Sequence, residues 1–233
     1  MYKVRKMNVI EIEGFNFLEV SQSPNIIISL KGERNFSEES IKTKNELLEK
    51  YFGVSSYQEF NQTHSTNILG IDTVENNEFD GFLSTDRKAA FAIKTADCIP
   101  LLLWDEEQSV ISGLHCGWKG LKNDIIAKAI EGNSSKPFTH AYIGPHISRE
   151  YFEVKGDFIE AFIENNKDIT GFLSNFEGRT CMNLRQYTVH ELHQYGIEVM
   201  NNFSPCSYLE KDHFFSWRRD NANPFRNLTI AWF

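Results

Sequence analysis

Residues 95–121 read TADCIPLLLWDEEQSVISGLHCGWKGL, and the fold turns on this stretch. IPLLLW at 99–104 is an unbroken apolar run closed by a polar turn, the pattern of a buried strand. SVISGLH at 109–115 is a second strand, and the short WDEEQS connection predicts a hairpin. Antiparallel pairing sets the start of one strand beside the end of the next. Cys98, entering the first strand, and His115, leaving the second, become neighbours in space. Cys116 follows His115 on the same strand, so the period of two turns it to the opposite face.

Outward from the hairpin, further strand-like runs are VIEIEG (9–14), NIIISL (25–30), TNILGID (66–72), AAFAIKT (89–95), HAYIG (140–144), IEVM (197–200) and LTIAWF (228–233). β-branched and aromatic residues fill them, and Gly, Pro, Asn or Asp bounds them. Four helices are expected. The first starts at Ser37 as N-cap, carries the stripe Ile41, Leu48, Tyr51 and Phe52, and stops at Gly53. The others run over about 119–131, 155–166 and 183–195. Strands outnumber helices without regular alternation, which favours an α+β fold with mixed sheets flanked by helices. No linker divides the chain, so one domain over 1–233 is expected.

The 233 residues are long enough to bury a sizeable core without staples, and 19 phenylalanines predict an aromatic one. The net charge of −8 opposes general binding to nucleic acid or to an anionic membrane. No apolar run approaches the ~20 residues of a membrane span. The N-terminal stretch starts basic but turns acidic at Glu11 and Glu13, which breaks the pattern of a signal peptide. Four unclustered cysteines do not form a disulfide framework, and a cytoplasmic protein with reduced thiols is expected.

A sulfur and an imidazole at one sheet end suit zinc. NQTHSTNILG places His64 at another junction of loop and strand, and completes a possible His-Cys-His set. Three such ligands leave the fourth zinc position open, the pattern of catalytic sites. Cys98 as nucleophile with His115 as base is an alternative from the same residues. Ordinary core filling is the third reading.

The pieces QTHS, TADCIPLLL, GLHCGWKGL, IGPHIS followed by YFEV, and FFSWRRD stand in the order of the YfiH/YlmD family. That family is also described as laccase-like multicopper polyphenol oxidoreductase and as purine nucleoside phosphorylase. The resemblance covers residue 60 to the C-terminus and, more loosely, the whole chain. It implies an α+β domain with metal ligands His64, Cys98 and His115, with zinc as the metal and copper as an alternative. It also implies phosphorolysis of adenosine, inosine and methylthioadenosine, deamination of adenosine, and a weak copper-dependent phenol oxidation. Blue-copper chemistry needs more histidine ligands than these motifs supply. Where the family usually has His-Ala-Gly-Trp-Arg-Gly, this chain has Cys116 and Lys119 in place of Ala and Arg. The family's arginine and Gly-Gly turn ahead of Ser-Leu-Asn are missing before Ser29-Leu30.

Under that resemblance the partners are a purine nucleoside and phosphate, bound by a monomer or homodimer. Asp97, beside Cys98, or another nearby carboxylate is the expected proton shuttle. Lys119, at a helix start, and the pair Arg218-Arg219 are the expected holders of phosphate. Trp118 and Trp217 can stack on a purine. His146, after a proline, lines the pocket in this reading.

Overall fold

The Ile99–Trp104 and Ile111–Cys116 strands pair antiparallel, with Ile99 opposite Cys116 and Pro100 opposite His115. The structure, a computed structural model, describes residues 8–105, 107, 109–201, 204–221 and 223–233. The basic start of the chain at residues 1–7 lies outside the described residues.

The hairpin is the centre of a six-stranded sheet in the order Glu198–Val199, His140–Ile143, Ile99–Trp104, Ile111–Cys116, Gly81–Ser84, Ile68–Leu69. A second six-stranded sheet runs Val9–Ile12, Phe15–Gln22, Asn25–Ser29, Asn227–Trp232, Ala89–Thr95, Ser56–Gln58. Both are mixed. Ser56–Gln58 runs parallel to Ala89–Thr95, and Ile68–Leu69 parallel to Gly81–Ser84, among mostly antiparallel pairs. The architecture is α+β with mixed sheets and flanking helices, as expected from the sequence.

Alternation along the strands builds the layers. Leu102, Trp104, Ile111 and Phe82 meet Phe91, Ile93, Ile28 and Ala231 of the other sheet. Phe82 and Phe91 stack there with centroids 4.5 Å apart. Leu101, Leu103, Leu114 and Cys116 point the other way, onto the helices Trp118–Lys122, Ile125–Gly132, Gly156–Glu164 and Leu184–Gln194. Ala90, Ala92, Ile230 and Trp232 of the second sheet face the helix Ile41–Phe52. Each fully buried leucine in these layers contributes about 1.5–3 kcal/mol.

Several elements differ from the reading of the sequence. The first helix is capped by Ser40, whose Oγ accepts from Thr43 N at 3.1 Å; Ser37 sits in a preceding 3-10 turn. Its buried face is Lys44, Leu47 and Leu48, while Ile41 and Tyr51 are exposed. The second helix is two helices, broken where Asp124 takes a positive φ of 62°. Phe15–Gln22, Ser56–Gln58, Gly81–Ser84 and the Leu173–Phe176/Arg179–Met182 hairpin are strands not foreseen. Gly53 ends its helix at φ 70°, as expected. Among the described residues no helix is long and apolar enough to cross a membrane.

Candidate metal centre

Three segments converge where the hairpin opens. Cys98 Sγ stands 3.9 Å from His64 Nε2. The rings of His64 and His115 have centroids 4.7 Å apart, inclined by 64°. One donor atom from each of the three residues lies within 4.8 Å of the other two. Donors of a tetrahedral zinc site stand about 3.5 Å apart, so modest side-chain rotations close this set. Two imidazoles and one thiol are also the right chemistry for such an ion.

Asp80 holds the set together, and the sequence reading missed it. It precedes the Gly81–Ser84 strand, which pairs Gly81 with Leu114 and so brings Asp80 beside His115. Its carboxylate is fully buried. Oδ1 accepts from His115 Nδ1 at 2.7 Å and from His64 N at 3.1 Å. Oδ2 accepts from Thr63 N, Ser65 N and Ser65 Oγ at 3.0, 2.7 and 2.8 Å. An ionised carboxylate only accepts, so Nδ1 of His115 carries the proton and Nε2 is left for an ion. The same carboxylate pins the loop that carries His64, whose own φ of 61° is left-handed.

Burial pushes the Cys98 thiol up, but His115 and His64 outweigh it and bring it down to about 6. Burial pushes His115 down, yet the Cys98 charge and the hydrogen bond to Asp80 raise it to about 9. Burial also pushes Asp80 up, and His115 and Ser65 hold it below the ordinary carboxylate range. Cys98 and His115 thus each favour the charged form of the other, and Asp80 supports the charge on His115. Cys116, by contrast, is buried among the helices, and its thiol is pushed well up, first by burial.

Gly117 closes the back of the set. A Cβ there would meet His64 Cδ2 at 2.8 Å and Cys98 Sγ at 3.2 Å. Gly117→Ala is expected to push the His64 ring out of register and to lower metal content at least tenfold in a competition with a chelator. Its melting temperature should fall by only a few degrees, since small overpacking costs about 1–3 kcal/mol. Full metal retention would show that the close approach has no role.

His64, Cys98 and His115 all line a cavity of about 690 Å³. Asp97, Trp118, Trp217 and Arg218 line it too. Asp97 takes φ 94° at the turn before Cys98, and its oxygens accept from Ser207 Oγ and Arg218 N, both at 2.7 Å. It braces the cysteine turn against two distant segments. Trp118 also packs on Phe158, and Trp217 stands exposed at the rim.

Three expected residues, Lys119, His146 and Arg219, do not line this cavity. Lys119 is exposed, with its ammonium over the Trp118 ring at 5.8 Å. His146 is buried and bonded through Nδ1 to Gly144 O at 2.8 Å, and burial drives its pKa down to about 4. Arg219 spends its guanidinium on the carbonyls of Ser207, Tyr208 and Phe214 and on Asp220. Glu59, Gln62, Lys94 and Arg226, absent from the sequence reading, do line the cavity.

The chain is similar to known proteins over most of its length. A purine nucleoside phosphorylase of Haemophilus influenzae is 29% identical over 220 residues, covering 92% of this chain and 90% of that protein. One from Rickettsia conorii is 27% identical, covering 82% of each chain. Among solved structures, a Neisseria meningitidis protein superposes with a TM-score of 0.75 at 24% identity, over 93% of this chain and 98% of its own. YlmD of Geobacillus stearothermophilus gives 0.72 at 15% identity, over 96% and 97%. The family described as multi-copper polyphenol oxidoreductase laccase matches residues 19–233, and the chain belongs to that family.

Proposed function

We propose that this protein is a metal-dependent purine nucleoside phosphorylase. The observation that carries the reading is the meeting of His64, Cys98 and His115 on the wall of a cavity large enough for a nucleoside. The names of the relatives from Haemophilus influenzae and Rickettsia conorii support it. The proposed substrates are adenosine, inosine and methylthioadenosine, with deamination of adenosine as an accompanying activity.

In phosphorolysis a phosphate oxygen bonds to ribose C1′ as the bond from C1′ to the base nitrogen breaks. The electron pair leaves with the base, which takes up a proton. His64, Cys98 and His115 would hold a zinc ion, or copper in its place, which would supply a Lewis acid in the cavity. The chain does the rest by positioning. Asp80 fixes the His115 tautomer and the His64 loop. Asp97 is assigned to holding the Cys98 turn, because both its oxygens are already engaged. Trp118 and Phe152 offer apolar walls to a flat base. Cationic side chains on the wall offset phosphate charge.

The test is incubation of the purified protein with adenosine or inosine, with and without phosphate. Free base and the sugar 1-phosphate are expected only with phosphate present. Yields no higher than those of a Cys98→Ala control would refute the reading.

One observation favours a second reading. Cys98, His115 and Asp80 stand in a thiol–imidazole–carboxylate series, which is the equipment of a cysteine hydrolase. Metal content separates the two. Stoichiometric metal, with Cys98 resisting iodoacetamide until a chelator is added, sets the hydrolase aside.

A further inference from the structure

The chain carries a net charge of −8, yet the cavity wall gathers Lys94, Arg218 and Arg226. We propose that these three residues form a phosphate-binding subsite in the cavity that also holds the metal ligands. This deepens the phosphorylase reading and rests on it for the identity of the co-substrate, but not for the binding of phosphate itself.

The acids on the same wall do not cancel the cations. Asp97 is committed to Ser207 and to the backbone of Arg218. Glu59 is 3.6 Å from the Lys94 ammonium, but it is already matched from behind. Lys44, only 2% exposed, places its Nζ 2.5 Å from Glu59 Oε1. A buried lysine and carboxylate so paired is a costly device for stability alone. Here it neutralises Glu59, so Lys94 keeps a net positive charge towards the cavity. Gln62 clamps the Lys94 backbone at both N and O, at 2.8 Å each.

The arginines are held but not spent. Arg226 donates through Nη1 to the carbonyls of Asn223 and Phe225 at 3.0 and 2.8 Å, and lies over the Trp217 ring at 5.4 Å. Its Nε and Nη2 donate to no protein atom among the described residues. Arg218 donates to the carbonyls of Tyr151 and Glu153 at 3.2 and 3.3 Å. Neither arginine has a carboxylate partner among the described residues. Fixed forks with spare N–H groups, plus one ammonium, match the oxygens of a phosphate dianion.

The test is a calorimetric titration of the purified full chain with inorganic phosphate, alone and with inosine present. Wild type should bind phosphate saturably, one per chain. Arg226→Gln and Lys94→Gln should each weaken binding about tenfold or more, with Arg226→Lys in between. If Arg226→Gln melts well below wild type, Lys94→Gln and Arg226→Lys carry the comparison. No saturable phosphate binding by wild type, or wild-type affinity in both glutamine variants, overturns the subsite.

The two ideas can fail separately. Phosphate binding that depends on Arg226, with no phosphorolysis, keeps the subsite and removes the phosphorylase. Phosphorolysis with an unchanged KM for phosphate in both variants does the reverse. A parallel titration compares adenosine with adenosine 5′-monophosphate. If the nucleotide binds more tightly and loses that advantage in Arg226→Gln, the phosphoryl group comes on the substrate. If it binds no more tightly, the subsite takes free orthophosphate.

Discussion

Cys98→Ala is expected to emerge from purification without stoichiometric metal and to turn over nucleoside at about one-hundredth to one-thousandth of the wild-type rate. Sulfur is the anionic member of the donor set, and two imidazoles alone make a poor site for a hard-to-neutralise dication. Losing one partner from a desolvated charge cluster costs about 3–5 kcal/mol, and each ~1.4 kcal/mol is tenfold. The fold should survive, because Cys98 is only half-buried and its side chain touches the two histidines rather than the layers of the core. His115 should also change. Without the thiolate its pKa should fall from about 9 towards the ordinary imidazole range, although Asp80 still raises it. Elemental analysis, nucleoside assay and histidine NMR titration check the three expectations. Wild-type metal content in Cys98→Ala would remove the metal centre from the account.

The core of the fold was readable because period and chemistry agree there. Ala89–Thr95 and Ile99–Trp104 occupy the same residues as the apolar runs that announce them. The strands that escaped lack such a signal. Gly81–Ser84 has four residues, two only partly buried, and begins inside the Asp80-Gly81 pair, which reads as a turn. Ser56–Gln58 alternates intermediate, buried and exposed over three residues, too short for a pattern. Their place is decided by long-range pairing with Ile111–Cys116 and Ala89–Thr95. The broken helix at 118–132 is similar: its apolar residues continue across the break, and only the conformation of Asp124 divides it.

The cluster of His64, Cys98 and His115 was legible for a related reason. Cys98 and His115 follow from one antiparallel register, which a sequence of two strands and a short turn already implies. His64 does not follow from pairing at all; it is carried in by a loop that Asp80 anchors from a different segment. A charge near a helix start carries no information about direction. Lys119 and Arg226 are alike in sequence, both cations near a tryptophan or phenylalanine. Lys119 is exposed with its ammonium over the Trp118 ring, and Arg226 lines the cavity with its guanidinium over the Trp217 ring.

Asp80→Asn is expected to weaken metal retention by about ten- to a hundredfold, and to do so although Asp80 donates no ligand. Five donors converge on this carboxylate: His115 Nδ1, the hydroxyl of Ser65, and the backbone N–H groups of Thr63, His64 and Ser65. An amide keeps the shape but turns one acceptor into a donor, aimed at groups that also donate. With the NH₂ towards His115, the imidazole must shift its proton to Nε2 and lose its lone pair for the ion. With the NH₂ towards Ser65, the loop that carries His64 loses its anchor. Either way a buried polar contact goes unmet at a cost of about 1–3 kcal/mol, so the melting temperature should drop by several degrees. Acid dependence separates this from a merely steric effect. In the folded chain the Asp80 carboxyl is held below its ordinary range, so its stabilisation is complete at neutral pH and is lost as pH falls through that lowered value. Asp80→Asn should therefore show a shallower loss of stability on the acid side than wild type. Asp80→Ala, which abandons all five donors in a fully buried site, should lose more stability than Asp80→Asn. A variant that keeps its metal, its melting temperature and its acid profile would show that the carboxylate only fills space.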